Sequence, residues 1–576
     1  MFERLSWVEQ RIFDALALTL VIFYSYSAVL EPAATQYHRG VYVLITYILV
    51  FLIYPTKGLG VAGRVLDYLL IAASIVTIGY WMLNLEAINY RAGIETELDK
   101  WIAMVGVLLG IELARRVVGT VFVVIGALML LYGVYGASEL IPEAIQHAGD
   151  TFPDLCTSIF YKSDGIFGIM ANVLATYIIL FVIFGAFLEA SGAQRFFIDF
   201  PLAAVGHKIG GPGKVSVIAS GLFGSISGSA IANTVSTGSF TIPMMKKAGF
   251  RPHVAGGIEP AASIGGMFMP PIMGAGGFIM AELTGVPYSE IMLIAVFPAL
   301  MYFVSVFMLV HYEAKKNGIV GEKSALSALE ILKREWFYIV PLVVITIFML
   351  AGYSPGYSAI LGVFACIAVS WVRRETRMGP RELLEASRAG AESSLKIGAT
   401  VGVIGIIIGV LTYSGLVLTF ADIVIELADG KLFLTILLIA LASLVLGMGV
   451  PVTAAYLITA VVAVPALTHL GVNEIAAHMI VYWLSQDSNI TPPVCIAAFA
   501  GATIAKANMW KTAFTAFRFA KFLYLAPFLF GYVPAFSLDG SAQDIVIAFV
   551  LIFFGTWAYA WLLSGIWLKR PAKQTV

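Results

Sequence analysis

Hydroxyls, side-chain amides and glycines stand in four short stretches of this sequence whose surroundings are otherwise apolar enough for lipid. Two are small-residue tips, GSISGSAIAN at 224–233 and GMGVPVTAAY at 447–456. Two carry paired prolines, ASIGGMFMPP at 262–271 and DSNITPP at 487–493. A helix interrupted at such a place frees carbonyls on one side and offers N–H groups, at the positive end of a helix dipole, on the other. Carbonyls with Ser, Thr and Asn oxygens make a hard-oxygen site for a small cation, and N–H ends suit a carboxylate. The residues expected to hold a cation are Gly224, Ser227, Asn233, Ser263, Gly265 and Met269 in the first pair of stretches, and Gly447, Gly449, Thr453, Asp487 and Thr491 in the second. Those expected to touch an anionic substrate are Ser229, Asn233, Thr234, Thr453, Asn489 and Thr491. No Arg lies in either tip, so carboxylate recognition is expected to rest on backbone N–H groups and on Ser, Thr and Asn side chains.

Ionisable groups near these stretches are candidates by default. Glu259, Glu282 and Asp487 are the acids in question. Glu259, directly before Pro260, is the candidate for gating or proton linkage, against the alternative of a glutamate facing water at a helix end. For any single Gly, Ser or Thr the competing reading is close helix packing, with hydroxyls bonding the carbonyl four residues back. His469 and His478 lack zinc-ligand spacing, and the cysteines, Cys156, Cys366 and Cys495, read as small buried hydrophobes.

The elements that position these residues follow from composition. The chain is 60% hydrophobic and 12% charged, where a soluble domain carries about 25% charged residues. Residues 336–372 and 432–473 contain no Asp, Glu, Lys or Arg and are each long enough for two spans. About 14 to 17 embedded segments are expected, which makes this an all-α polytopic membrane protein. Zero net charge gives no electrostatic case for nucleic acid. The N-terminus lacks a small-residue cleavage site, so its first apolar run is expected to stay as a membrane helix. Basic clusters predict cytoplasmic loops around 312–335 and 373–396.

Residues 1–136 read as a four- to five-helix scaffold module, 137–164 as a polar connector, and 165–576 as the working module, where Gly, Ser, Thr, Asn and Pro enter apolar segments. The working module repeats. Pro243 and Pro465, Gly249 and Gly471, Pro270 and Pro492, Pro271 and Pro493, and Ala275 and Ala497 are all separated by one and the same interval. Paired segments with matched interruptions point to a secondary-transporter site at mid-membrane. The expected layout is a re-entrant hairpin at about 215–248 with a broken helix at about 254–283, then a second hairpin at about 432–470 with a broken helix at about 474–506. Each break is expected to restart on its prolines, since proline suits the first turn of a helix.

Four stretches, LFGSISGSAIANTVSTGSFTIPMMKKAGF, GGMFMPPIMGAGGFIMAE, LGMGVPVTAAYLI and ITPPVCIAAFAGA, resemble the large membrane subunit of tripartite ATP-independent periplasmic (TRAP) transporters. Residues 180–220 are similar to its TAXI-type branch, in which small and large membrane subunits are commonly fused. Asn489 in QDSNITPP departs from the commoner family pattern, which weakens the transfer of roles there. The resemblance implies a monomeric, fused component in the bacterial inner membrane, with two inverted repeats working as an elevator. It also implies import of an organic acid, delivered by a periplasmic binding protein and driven by a sodium gradient, with protons as the alternative. ATP is not expected, since no phosphate-binding G-x-x-x-x-G-K-[ST] motif occurs. Two other readings stay open here. One is a dicarboxylate–sodium elevator that needs no binding protein. The other is an intramembrane serine protease using Ser227 or Ser229, which requires a histidine base in reach.

Overall fold

The computed structural model describes residues 2–566 apart from Leu59 and Gly449. Over these residues the chain is helical, and its only β pairing is one isolated bridge between Ile209 and Val320. Among the described residues, nine helices are long and apolar enough to cross a membrane, and four shorter apolar ones have 10–17 residues.

Five N-terminal helices come first: α1 (Trp7–Val29), α2 (Thr35–Ile53), α3 (Gly60–Tyr90), α4 (Glu97–Val117) and α5 (Thr120–Val134). Capping fixes two of their starts. Ser6 and Glu9 form a reciprocal cap at α1, and Thr96 and Asp99 do so at α4, satisfying N–H groups that the first helical turn leaves unpaired. Contacts to later helices are polar as well as apolar. Arg388 makes two hydrogen bonds to Asp14, at 2.8 and 3.0 Å, and Arg39 donates to Asn172 Oδ1 and to the Phe167 carbonyl. The second half of the connector, Phe152–Tyr161, is a helix whose Leu155, Cys156, Ile159 and Phe160 are buried. It packs on α4, with the Tyr161 hydroxyl on the Asp99 carbonyl at 2.8 Å.

Two sets of six helices follow. The first comprises α6 (Ile179–Ala190), α7 (Ala193–Val205), α8 (Gly211–Ser227), α9 (Ala230–Lys247), α10 (Pro252–Gly265) and α11 (Gly274–Thr284). The second comprises α12 (Val401–Ser414), α13 (Leu416–Leu427), α14 (Leu432–Gly447), α15 (Val452–His469), α16 (Glu474–Ser485) and α17 (Ile496–Ala505). The starts at 179, 230, 252 and 274 have counterparts at 401, 452, 474 and 496, at the same interval that separates the paired prolines.

The backbone repeats in finer detail. Gly249 and Gly471 both have positive φ, the Pro270–Pro271 and Pro492–Pro493 peptide bonds are both cis, and Met273 and Cys495 are both left-handed with φ of 55° and 33°. A left-handed non-glycine residue costs roughly 1–2 kcal/mol, so at both places the surrounding packing holds the conformation.

One expectation is corrected here. The helices do not restart on the prolines. They restart at Gly274 and Ile496, each after a left-handed residue, and the prolines lie inside the preceding irregular turns. The physical reason is room: α10 ends at Gly265 and α16 at Ser485, so the chain needs several residues to change direction before a helix can begin again.

Candidate functional site: two tips against two breaks

The first tip is a tight turn. Gly228, left-handed at φ 61°, ends α8, and Ser229 caps α9 by accepting from the Ala232 N–H. Glycine is required where the tip meets the break. A Cβ on Gly224 would stand 2.6 Å from Asn233 Nδ2 and 2.9 Å from Gly266 Cα, while Gly228 itself packs on Gly274, the first residue of α11. The end of α8, with its unpaired carbonyls, is thereby brought against the break between α10 and α11. Asn233 is buried and donates to the Ser220 carbonyl at 2.9 Å, whereas Thr234 bonds the Ala230 carbonyl four residues back.

Glu259 lies on α10 with no exposed surface, which overturns the water-facing alternative. Its carboxylate accepts hydroxyls from Ser216 and Ser220 on α8, both at 2.5 Å, and from Thr237 and Thr241 on α9. Ser263 approaches at 3.5 Å, and among the described residues no lysine, arginine or histidine pairs with the group. Hydroxyls donate or accept by rotation. The cage can therefore satisfy an ionised carboxylate and can also accept from a protonated one. Sequence reasoning reached Glu259 and Ser263 but not the other four hydroxyls. The available signal was the spacing of Ser216 with Ser220 and of Thr237 with Thr241, four residues each, which puts each pair on one helical face.

At the second tip α14 ends at Gly447, and a Cβ there would stand 2.6 Å from Ser488 Cβ in the second break. Asp487, Ser488 and Asn489 form a short buried turn packed on α14. Asp487 Oδ1 and both polar atoms of Gln486 are buried at the second break without a hydrogen-bond partner among the described residues, as are Ser443 Oγ on α14 and, at the first tip, Ser227 Oγ. Such groups are costly unless something satisfies them, and hard oxygens with one carboxylate suit a small cation. Asn489 reaches the Gln486 carbonyl, at 3.4 Å, and Thr491 is bonded to the Tyr524 hydroxyl. Thr453 is buried on α15. Gly449 lies outside the described residues. Gly265 packs under Tyr302 and Phe303, and Met269 is held in the turn by backbone bonds to Gly266 and Met273. Glu282 lies near the end of α11 that is far from the first break, and accepts from Asn172 at 2.7 Å.

The breaks are joined across the repeat. Tyr482 of α16 directs its hydroxyl at the Met267 and Met273 carbonyls, at 2.6 and 2.5 Å, and Trp483 stacks on Phe268 with ring centroids 4.0 Å apart. In front of the first tip lies a cavity of about 260 Å³ lined by Ser227, Gly228, Ser229 and Ser236, with one acid, Glu189 of α6, and with Ser393 and Lys396 from the helix Pro380–Gly398. Lys396 has no ion-pair partner among the described residues. It is a cation that inspection of the tips alone passed over.

An all-helical chain whose spans are interrupted by buried polar turns is a polytopic membrane protein with an internal polar site. Comparison with known proteins narrows this. Residues 105–536 match the family described as the tripartite ATP-independent periplasmic transporter, DctM component, and the chain belongs to that family. A putative TRAP transporter large permease protein of Haemophilus influenzae is 24% identical over 320 residues, covering 54% of this chain and 74% of that protein. The C4-dicarboxylate TRAP transporter large permease protein DctM of Pseudomonas aeruginosa is 26% identical over 366 residues, covering 62% and 84%. The 2,3-diketo-L-gulonate TRAP transporter large permease protein YiaN of Escherichia coli is 26% identical over 196 residues, covering 33% and 45%. The relatives are transport proteins, not enzymes, and Ser227 Oγ has no imidazole bonded to it among the described residues. The serine-protease reading is thereby overturned.

Proposed function

We propose that this chain is the membrane component of a secondary importer that takes up an organic acid across the bacterial inner membrane. The reading rests first on one observation: a helical tip abuts a polar helix break, and the pairing occurs twice at a constant interval along the chain. In it, residues 1–136 act as a fused small-subunit-like scaffold and 165–576 as the transport module. The two sets of helices form inverted repeats that carry the site past the scaffold as an elevator, within a monomer. A periplasmic TAXI-type binding protein delivers the substrate. The carboxylate class is supported by the relative described as a C4-dicarboxylate permease and by Lys396, which lines the cavity with Ser227 and Ser229 and forms no ion pair among the described residues. Sodium is the coupling ion, held by Asp487 with the oxygens around the second break. A proton carried by Glu259 is the alternative.

The test is uptake of labelled carboxylates into proteoliposomes containing the full chain and its cognate binding protein, under an imposed sodium or proton gradient. Accumulation should require the binding protein and one of the gradients. If neither gradient drives it, the reading fails; full uptake without the binding protein transfers the chain to the dicarboxylate–sodium elevator class.

A further inference from the structure

Helices α1 to α4 surround, at one end, a cavity of about 680 Å³ that is remote in sequence from both tips. Its walls are strongly cationic, with Arg4, Lys57, Arg64, Arg115 and Arg116 against one lining acid, Glu9. Most of this charge is already neutralised. Arg64 pairs with Glu9 and donates to the Leu52 carbonyl at 3.0 Å, so it also closes the C-terminus of α2. Arg116, with a side chain 4% exposed, pairs with Asp67 at 2.6 Å and Glu112 at 2.7 Å and donates to the Tyr54 carbonyl. Arg115 pairs with Glu112 at 2.7 Å. Three guanidiniums thus meet three carboxylates, and their charges cancel.

Arg4 and Lys57 remain. Neither has a carboxylate within ion-pair reach among the described residues, and both are exposed at the cavity rim. Glu392 acts electrostatically on Tyr54 from the neighbouring helices but does not line the cavity. The internal pairs leave the two surplus cations to supply the cavity's net charge. Just beyond Arg4, Trp7 and Val8 expose apolar surface on the first turn of α1. With Arg11 and Lys57 nearby, this basic end falls on the cytoplasmic side by the distribution of charge, where acidic lipids lie.

We propose that this cavity binds a phosphate-bearing anion, presented either as the headgroup of an acidic phospholipid, whose chains would lie on Trp7 and Val8, or as free phosphate. Arg4 and Lys57 meet the phosphate oxygens. The test is native mass spectrometry of the detergent-solubilised full chain, titrated separately with dioleoylphosphatidylglycerol, dioleoylphosphatidylcholine and inorganic phosphate. Adducts of phosphatidylglycerol should form in preference to phosphatidylcholine, and Arg4→Gln with Lys57→Gln should weaken them about tenfold or more. Neither side chain forms an ion pair among the described residues, so the thermal midpoint should not move. Arg4→Lys with Lys57→Arg should bind as the parent does. Phosphate adducts lost in the Gln variant, with no preference between the lipids, assign the same site to the free anion. Two results overturn it: equal adducts in the parent and the Gln variant, or an equal loss on removing Arg374 and Lys323, two exposed cations elsewhere on the surface.

Discussion

A buried carboxylate surrounded only by hydroxyls is an exacting arrangement, because each hydrogen bond to an ionised group contributes roughly 1.5–3 kcal/mol and its loss strands the partner. Glu259→Ala removes the acceptor of Ser216, Ser220, Thr237 and Thr241 together, and we expect it to destabilise the protein by about 2–4 kcal/mol in thermal or denaturant unfolding. Glu259→Gln keeps the shape and two hydrogen-bonding ends. It should fold, and should abolish proton-driven uptake while leaving sodium-driven uptake measurable if Asp487 is the coupling site. Sodium-driven uptake lost in Asp487→Asn and kept in Glu259→Gln would assign coupling to the second break; the reverse would assign it to Glu259. Lys396→Gln is expected to raise the substrate KM by roughly tenfold to a hundredfold, the cost of one charged hydrogen bond, with little change in stability because Lys396 forms no ion pair among the described residues. At this scale the sequence was only partly legible. Glu259 stood out because a carboxylate is rare in an apolar run. Its cage did not, since Ser and Thr in helices most often bond the carbonyl four residues back, as Thr234 does.

Among the helices, the tips and breaks were legible because glycines, prolines and polar residues interrupt charge-free runs, and the constant offset between the paired landmarks carries directly into the helix starts. The restart points were missed. The prolines marked the break, but the helix begins only where Met273 and Cys495 have turned the chain, and left-handed conformations at Met and Cys carry no sequence signal. The close approach of α8 to the first break was also hidden, because a glycine in a helix reads equally as a packing or a conformational residue. Gly224→Ala and Gly266→Ala should each destabilise by about 1–3 kcal/mol, since the added methyl meets backbone of the facing segment and backbone cannot rotate away. Gly285→Ala tests the contrast. Nothing lies within 4 Å of its added methyl, so any cost comes from its positive φ alone. Unfolding midpoints of the three variants check the distinction, and Gly285→Ala should keep the parent's uptake rate.

Across the whole molecule, the class of protein was legible from composition alone, because a chain 12% charged has too little polar surface to face water on all sides. How the two sets of helices grip one another was not, since it depends on contacts between residues far apart in the chain. Tyr482→Phe should cost about 1–3 kcal/mol through loss of the bond its single phenolic proton shares between the Met267 and Met273 carbonyls. It should also slow uptake more than its stability loss alone would account for, which uptake measured well below the unfolding midpoint will separate. That hydroxyl has a further consequence for how interchangeable the two halves are. In the register set by the paired prolines, Tyr482 corresponds to Pro260, which has no hydroxyl to offer in return, and Val481 corresponds to Glu259. Each half therefore carries a buried group that the other lacks at the matching position: the hydroxyl-caged acid Glu259 belongs to the first, and the phenol bonded to the first break belongs to the second. A molecule assembled from two copies of either half would keep the outline of the repeat and lose one of them.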